Sequence, residues 1–136
     1  MIKHPKRRGE WVELQFMSRA AHHGLTVSKP WGDSARYDFI VEHKGRCVRV
    51  QVKSTYFYRR GGYQCKFLTG SGVYSKKDIE FVVAFIIPEE IWYVIPIGEV
   101  EGYLGVTLEP RRTTNKYFRY MEAWHLLRNR TAQTMP

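Results

Sequence analysis

An α/β fold with a mixed central β-sheet flanked by helices is the prediction for this chain, and three stretches carry it. Residues 36–54 alternate apolar and polar side chains on both sides of a turn, the period of two expected of a half-buried hairpin. Residues 81–87 are an almost wholly apolar run, of a length that suits a strand buried on both faces. Residues 5–24 repeat apolar side chains at helical spacing ahead of both. With 136 residues there is room for one sizeable core, so residues 1–130 read as a single domain and residues 131–136 as a C-terminal tail that frays.

In the opening helix, Pro5 suits the first turn and Gly24 the stop. Leu14, Met17, Ala20, Ala21 and Gly24 form one stripe, and Glu13 falls inside it. A carboxylate on the core-facing side of a helix is costly without a partner. Glu13 is therefore either a structural acid paired with a buried cation or a catalytic or metal-binding carboxylate aimed at the sheet. Glu10, on the stripe's edge, reads more simply as a first-turn acid favoured by the helix dipole. Residues 25–28 are extended, and residues 29–34 form a loop in which Asp33 reads as ordinary turn composition.

The hairpin sets the next expectation. With Lys44-Gly45 at its centre, His43 pairs with Arg46 and Asp38 lies opposite Gln51. Phe39, Val41, Val48, Val50 and Val52 face one core. Asp38, Ile40, Glu42, Cys47, Arg49, Gln51 and Lys53 take the other face. One acid, one amide oxygen and one ammonium thus meet on one patch. By themselves they suit a solvated Asp–Lys pair as well as an active centre; Glu13 from the preceding helix shifts the balance.

Downstream, Gly61-Gly62 marks a turn, with a strand over residues 63–67. Tyr56, Tyr58, Arg59, Arg60, Tyr63 and Lys66 alternate cations with amphipathic rings, a mixture suited to phosphate and base contacts. Residues 91–97 are a return strand, residues 97–104 hold a short helix, and residues 105–114 are irregular and basic through Arg111 and Arg112. Asn115 caps a terminal helix in which Tyr117, Tyr120, Met121, Trp124 and Leu127 keep helical spacing. Trp92, Tyr93 and Tyr103 are candidates for a subunit interface, with core placement the favoured reading.

A net charge of +9 and 15% aromatic residues point to a polyanionic partner, most often nucleic acid. Two cysteines make neither a disulfide framework nor a zinc motif. No signal-peptide core or membrane-length apolar run is present, so a cytoplasmic, nucleoid-associated protein is expected.

In order, Gly9-x-x-x-Glu13, Gly32-Asp33, Tyr37-Asp38 and Gln51-Val52-Lys53-Ser54 resemble the PD-(D/E)xK nuclease superfamily, most of all its group I intron homing endonucleases, where Gln replaces the second acid. The helical Gly-x-x-x-Glu is also similar to that of archaeal Holliday junction resolvases. The resemblance runs over residues 8–127 and includes the stretches 78–81 and 88–96. It implies a restriction-endonuclease-like core and a site-specific endonuclease that hydrolyses double-stranded DNA with Mg²⁺ or another hard divalent cation. It implies Glu13, Asp38, Gln51 and Lys53 as catalytic residues. The implied metal ligands are Asp38, Glu13, Gln51 and the Val52 carbonyl. Lys53, beside carboxylates, is expected to stay protonated. DNA contacts fall to Tyr56, Tyr58, Arg59, Arg60, Tyr63, Lys66, Arg111 and Arg112. Tyr37 stands where the motif has Pro. Gln51 removes one negative charge that Glu13 restores. The alternatives are a structure-specific, Holliday-junction-type nuclease or a catalytically degenerate DNA-binding module. One small subunit has one centre for two strands, so a homo-oligomer, dimer or tetramer, is expected.

Overall fold

Helix α1 (Pro5–His22) opens the chain, with Pro5 in its first turn and the His4 imidazole accepting from the Arg7 amide. It ends two residues earlier than its spacing suggests. Gly24, at φ 78°, takes the left-handed position that closes the last turn, and the Leu25 amide bonds back to the Ala20 carbonyl. The computed structural model describes residues 2–68 and 72–130, so the expected tail at 131–136 lies outside the described residues.

Five strands form the main sheet in the order β1 (Thr26–Ser28), β2 (Phe39–His43), β3 (Arg46–Thr55), β6 (Phe81–Ile86) and β7 (Ile91–Pro96). Only the β3–β6 pair is parallel; the other three pairs are antiparallel. The crossover between β3 and β6 carries the hairpin β4 (Tyr58–Arg59) and β5 (Gly62–Lys66), which joins β8 (Gly105–Leu108) in a second, three-stranded sheet. Residues 105–108 are thus a strand, where an irregular segment was expected. Gly105 permits the pairing, because a Cβ there would meet the Cys65 carbonyl at 2.6 Å.

Strand parity separates two cores. Phe39, Val41, Val48, Val50, Val52, Phe81, Val83 and Phe85 pack beneath α1. Val82, Ala84, Ile86, Tyr93 and Ile95 pack against the small sheet through Cys65, Val106 and Leu108. One helix and one small sheet therefore flank the mixed main sheet, in the α/β class expected. An aromatic cluster pins α1: Phe16 lies 5.2 Å from Phe39 and 5.8 Å from Trp124, and Trp92 lies 4.1 Å from Phe85.

Two expectations are corrected. The buried stripe of α1 is Val12, Phe16 and Ala20, flanked by Trp11 and Met17, while Leu14 is 59% exposed. The large ring of Phe16 chooses the face, and Glu13 moves from the middle of the stripe to its border. The terminal helix does not form either. Residues 115–127 hold only two short 3₁₀ turns, Phe118–Tyr120 and Trp124–Leu127. The chain between them bonds to the edge of β7: the Glu122 amide donates to the Trp92 carbonyl at 2.7 Å, and the Trp92 amide donates to the Glu122 carboxylate at 2.8 Å. An edge strand offers those bonds at residues too bulky to favour a helix. Trp92 and Tyr93 are core residues, and Tyr103 is exposed. Among the described residues no helix is long and apolar enough to cross a membrane.

Candidate active site

The site lies where β2 and β3 part. The two-residue turn sets His43 opposite Arg46 and Phe39 opposite Val50, the expected register. β2 begins at Phe39, but β3 runs on to Thr55, so the last part of β3 has no strand on its β2 side. Asp38 fills the first vacancy. Its amide donates to the Val50 carbonyl at 2.9 Å, and its carboxylate accepts the Val52 amide at 2.9 Å. The side chain thereby takes the place of a backbone acceptor in the plane of the sheet. Because the N–H and C=O of one strand residue point to the same side, the Val52 carbonyl faces the same gap.

That in-plane position reconciles side chains from opposite faces. Glu13 approaches on the α1 side, its carboxylate held by Lys29 at 2.5 Å. Gln51 and Lys53 project from the other face of β3, where Gln51 is 9% exposed and Lys53 lies 5.4 Å from the Tyr74 ring. The expectation that Glu13 joins the trio on the polar side of the sheet is corrected: Glu13 lies on the α1 side, and Asp38, between the two faces, feels the charges of both Glu13 and Lys53. Glu10 is exposed on α1, but the helix starts at Pro5 and its first turn holds no acid, so the first-turn reading of Glu10 is corrected; Asp33 is exposed in the loop after β1.

Electrostatics mark the same place. Burial pushes the Asp38 carboxyl above its ordinary value, and the neighbouring Glu13 charge pushes it further; the Val52 amide, Lys53 and Lys29 oppose this. Burial pushes Lys53 below the ordinary lysine value, against the pull of Asp38 and of Cys65. Desolvation outweighs the attraction expected to hold Lys53 charged, so Lys53 gives up its proton more readily than a surface lysine. Cys65, wholly buried beside it, is pushed up to about 12.

A hard divalent cation fits this donor set. Asp38 and Glu13 supply carboxylate oxygens, Gln51 an amide oxygen and Val52 a carbonyl, the ligand types such ions prefer. Two carboxylates near each other in a partly desolvated site carry negative charge that a cation relieves. Among the described residues no group of three or more His, Cys, Asp or Glu is placed to hold a metal ion. A cation held by the two acids would draw its remaining protein ligands from the neutral oxygens of Gln51 and Val52.

Beside the gap, an open groove of about 600 Å³ is lined by Arg8, Ser54, Tyr56, Phe57, Arg59 and Lys66, among others. Arg8 reaches it from α1, with its guanidinium 4.7 Å from the Tyr56 ring. Tyr58 and Arg60 are exposed on the hairpin above. Tyr63 is not on that surface: it is 7% exposed, and its hydroxyl donates to Glu89 at 2.7 Å. Arg111 and Arg112 are ion-paired with Glu89 and Glu109 and line no part of the groove. Sequence reasoning missed Arg8 and Lys29. Arg8 sits among several N-terminal cations, and Lys29 becomes legible only once β1 is known to pair with β2. Trp31, 99% exposed two residues after Lys29, was read only as part of a loop.

Comparison with known proteins bears on the fold and the family. No curated protein matches the chain. Among solved structures, the bacterial homing endonuclease I-Ssp6803I superposes with a TM-score of 0.79 at 28% identity, over 95% of this chain and 96% of that one. The model of the PD-(D/E)XK endonuclease family matches residues 3–127, nearly the whole length, and the chain belongs to that family.

Proposed function

We propose that this protein is a divalent-metal-dependent, site-specific endonuclease of the homing type that hydrolyses phosphodiester bonds in double-stranded DNA. The observation that carries the reading is the gap itself: Asp38, half-buried and bonded to the Val52 amide, has Glu13 on one side and Lys53 on the other. Likeness to a homing endonuclease over almost the full length of both chains supports the biological class.

Asp38, Glu13, Gln51 and the Val52 carbonyl would hold the ion, Mg²⁺ or another hard cation. When bound, such an ion polarises a phosphoryl oxygen and lowers the pKa of water. Asp38 supplies the fixed ligand, because its second role in the backbone ladder leaves it no other position. Glu13 restores the negative charge that Gln51 does not supply. Lys53 offers its ammonium to the charge that grows on the phosphoryl oxygens as water attacks phosphorus and the P–O bond breaks.

The groove beside the gap would receive the duplex. Arg8, Arg59 and Lys66 are placed to meet phosphates, and Tyr56 and Tyr58 to meet sugars or bases. Residues 1–130 would act as one nuclease domain at the nucleoid, in a symmetric oligomer that presents one centre to each strand.

The test is Mg²⁺-dependent cleavage of a randomised duplex library and of a four-way junction, with Asp38→Asn as control. Selected cuts in the linear duplex, absent in the control, are the expected result. Preference for the junction would replace the homing reading by the structure-specific one. Binding with no cutting of either would favour a degenerate DNA-binding module, the reading that Gln51 motivates.

A further inference from the structure

We propose that Lys29 is a resident counter-ion of Glu13 that a divalent cation has to displace, so that Lys29 sets the cation affinity of the site. The inference rests on the metal-binding reading above.

Lys29 lies at the end of β1, where the chain turns into the 29–34 loop. Its ammonium reaches back across the sheet edge to Glu13 Oε1 at 2.5 Å and sits 5.0 Å from the ring of Phe39, the residue next to Asp38. It acts on Asp38 as well: Glu13 drives the Asp38 carboxyl up, and Lys29 pulls it down. One ammonium thus offsets part of the repulsion between the two carboxylates, the task a bound cation would perform. Lys29 is built to leave. Its side chain is 55% exposed, so release returns the charge to water, and an ion pair this open is screened and weak. A doubly charged ion sharing Glu13 with an ammonium would meet a like charge within a few ångströms. Each cation therefore weakens the hold of the other, and Glu13 is the group they contest.

The competition is read by titrating Mg²⁺ and Ca²⁺ into the full chain in a calorimeter, without DNA, at low ionic strength. Lys29→Gln should tighten cation binding about tenfold. Lys29→Arg, which keeps the charge, should stay within about twofold of the wild type. The decisive arm is Glu13→Gln with and without Lys29→Gln. With the contested carboxylate gone, only the weaker action of Lys29 on Asp38 remains, and removing Lys29 should change binding by less than about twofold. Thermal melts would verify that each variant is folded. Unchanged or weaker binding in Lys29→Gln overturns the proposal. So does an equal gain in the Glu13→Gln background, which would make Lys29 a distant charge and not a competitor. If the wild type takes up neither cation, the metal-dependent reading fails together with this one; if it takes up Mg²⁺ and Lys29→Gln does not matter, only this one fails.

Discussion

The β2–β3 and β4–β5 hairpins share one turn design: Lys44 and Gly45 at φ 46° and 84°, Arg60 and Gly61 at φ 55° and 85°. Positive φ at both central residues matches the twist of paired strands, which is why each loop needs only two residues. Their surroundings differ. β3 is flanked by β2 and β6, and its valines are buried under α1. The C-terminal segment also clamps its turn, through Arg46 to the Leu126 and Arg128 carbonyls and Asn129 to the Lys44 carbonyl. β4 is two exposed residues at the edge of the small sheet. The first hairpin holds groups in fixed positions, as bond-breaking requires. The second presents rings and guanidinium groups to solvent, as binding a long polyanion requires. The same local code thus serves catalysis or capture according to what packs around it.

The harshest test of that contrast is on the scaffold beneath the first hairpin. Phe16→Ala removes a fully buried ring touching Phe39 and Trp124 and should lower stability by about 3–5 kcal/mol, measured by urea unfolding. A loss below about 1 kcal/mol would mean that α1 is not clamped to the sheet, and that Glu13 is not held near Asp38.

Next comes the chemistry. Asp38→Asn and Lys53→Ala should each lower single-turnover cleavage by about 10²–10³ or more, while DNA affinity in a band-shift assay holds. If either variant instead loses binding and keeps its cleavage rate, the two hairpins have exchanged the roles given them here. Smaller again are effects on the second hairpin and its groove. Arg59→Ala and Lys66→Ala should each weaken binding and reduce the slope of log K against log salt by about one, with the cleavage rate at saturation unchanged. Arg111→Ala, whose guanidinium is already engaged by Glu89, should leave the slope as it is.

Legibility in the sequence follows the same division. The alternation of residues 39–52 encodes register and burial outright, because a slip by one residue would expose every valine. Asp38, Gln51 and Lys53 were readable for that reason. That Asp38 sits in the plane of the sheet was not, since it depends on where β2 stops. The face of α1 was misjudged because helical spacing alone does not tell Leu14 from Phe16; the partners Phe39, Trp92 and Trp124 do. Tyr117 to Leu127 kept helical spacing yet fold as 3₁₀ turns, because β7 offers its edge to the backbone of Glu122. Tertiary hydrogen bonds decided there, and no local pattern records them.

The finest test uses the shared turn. Lys44 and Arg60 both occupy a left-handed position that a side chain with a Cβ resists and that Asn tolerates best. Lys44→Asn should therefore stabilise the protein, by about 0.5–1 kcal/mol, with cleavage unchanged. The carbonyl that meets Asn129 is main chain and survives the substitution. Arg60→Asn relieves the same strain, but beside the exposed two-residue strand β4, which can fray without the main sheet, so its gain should be absent from the global unfolding midpoint. What it should change is DNA affinity, through the lost guanidinium. Equal shifts in the urea midpoint for both variants would mean that the β4–β5 hairpin unfolds with the central sheet. The division between a fixed hairpin and a presenting one would then have to be given up.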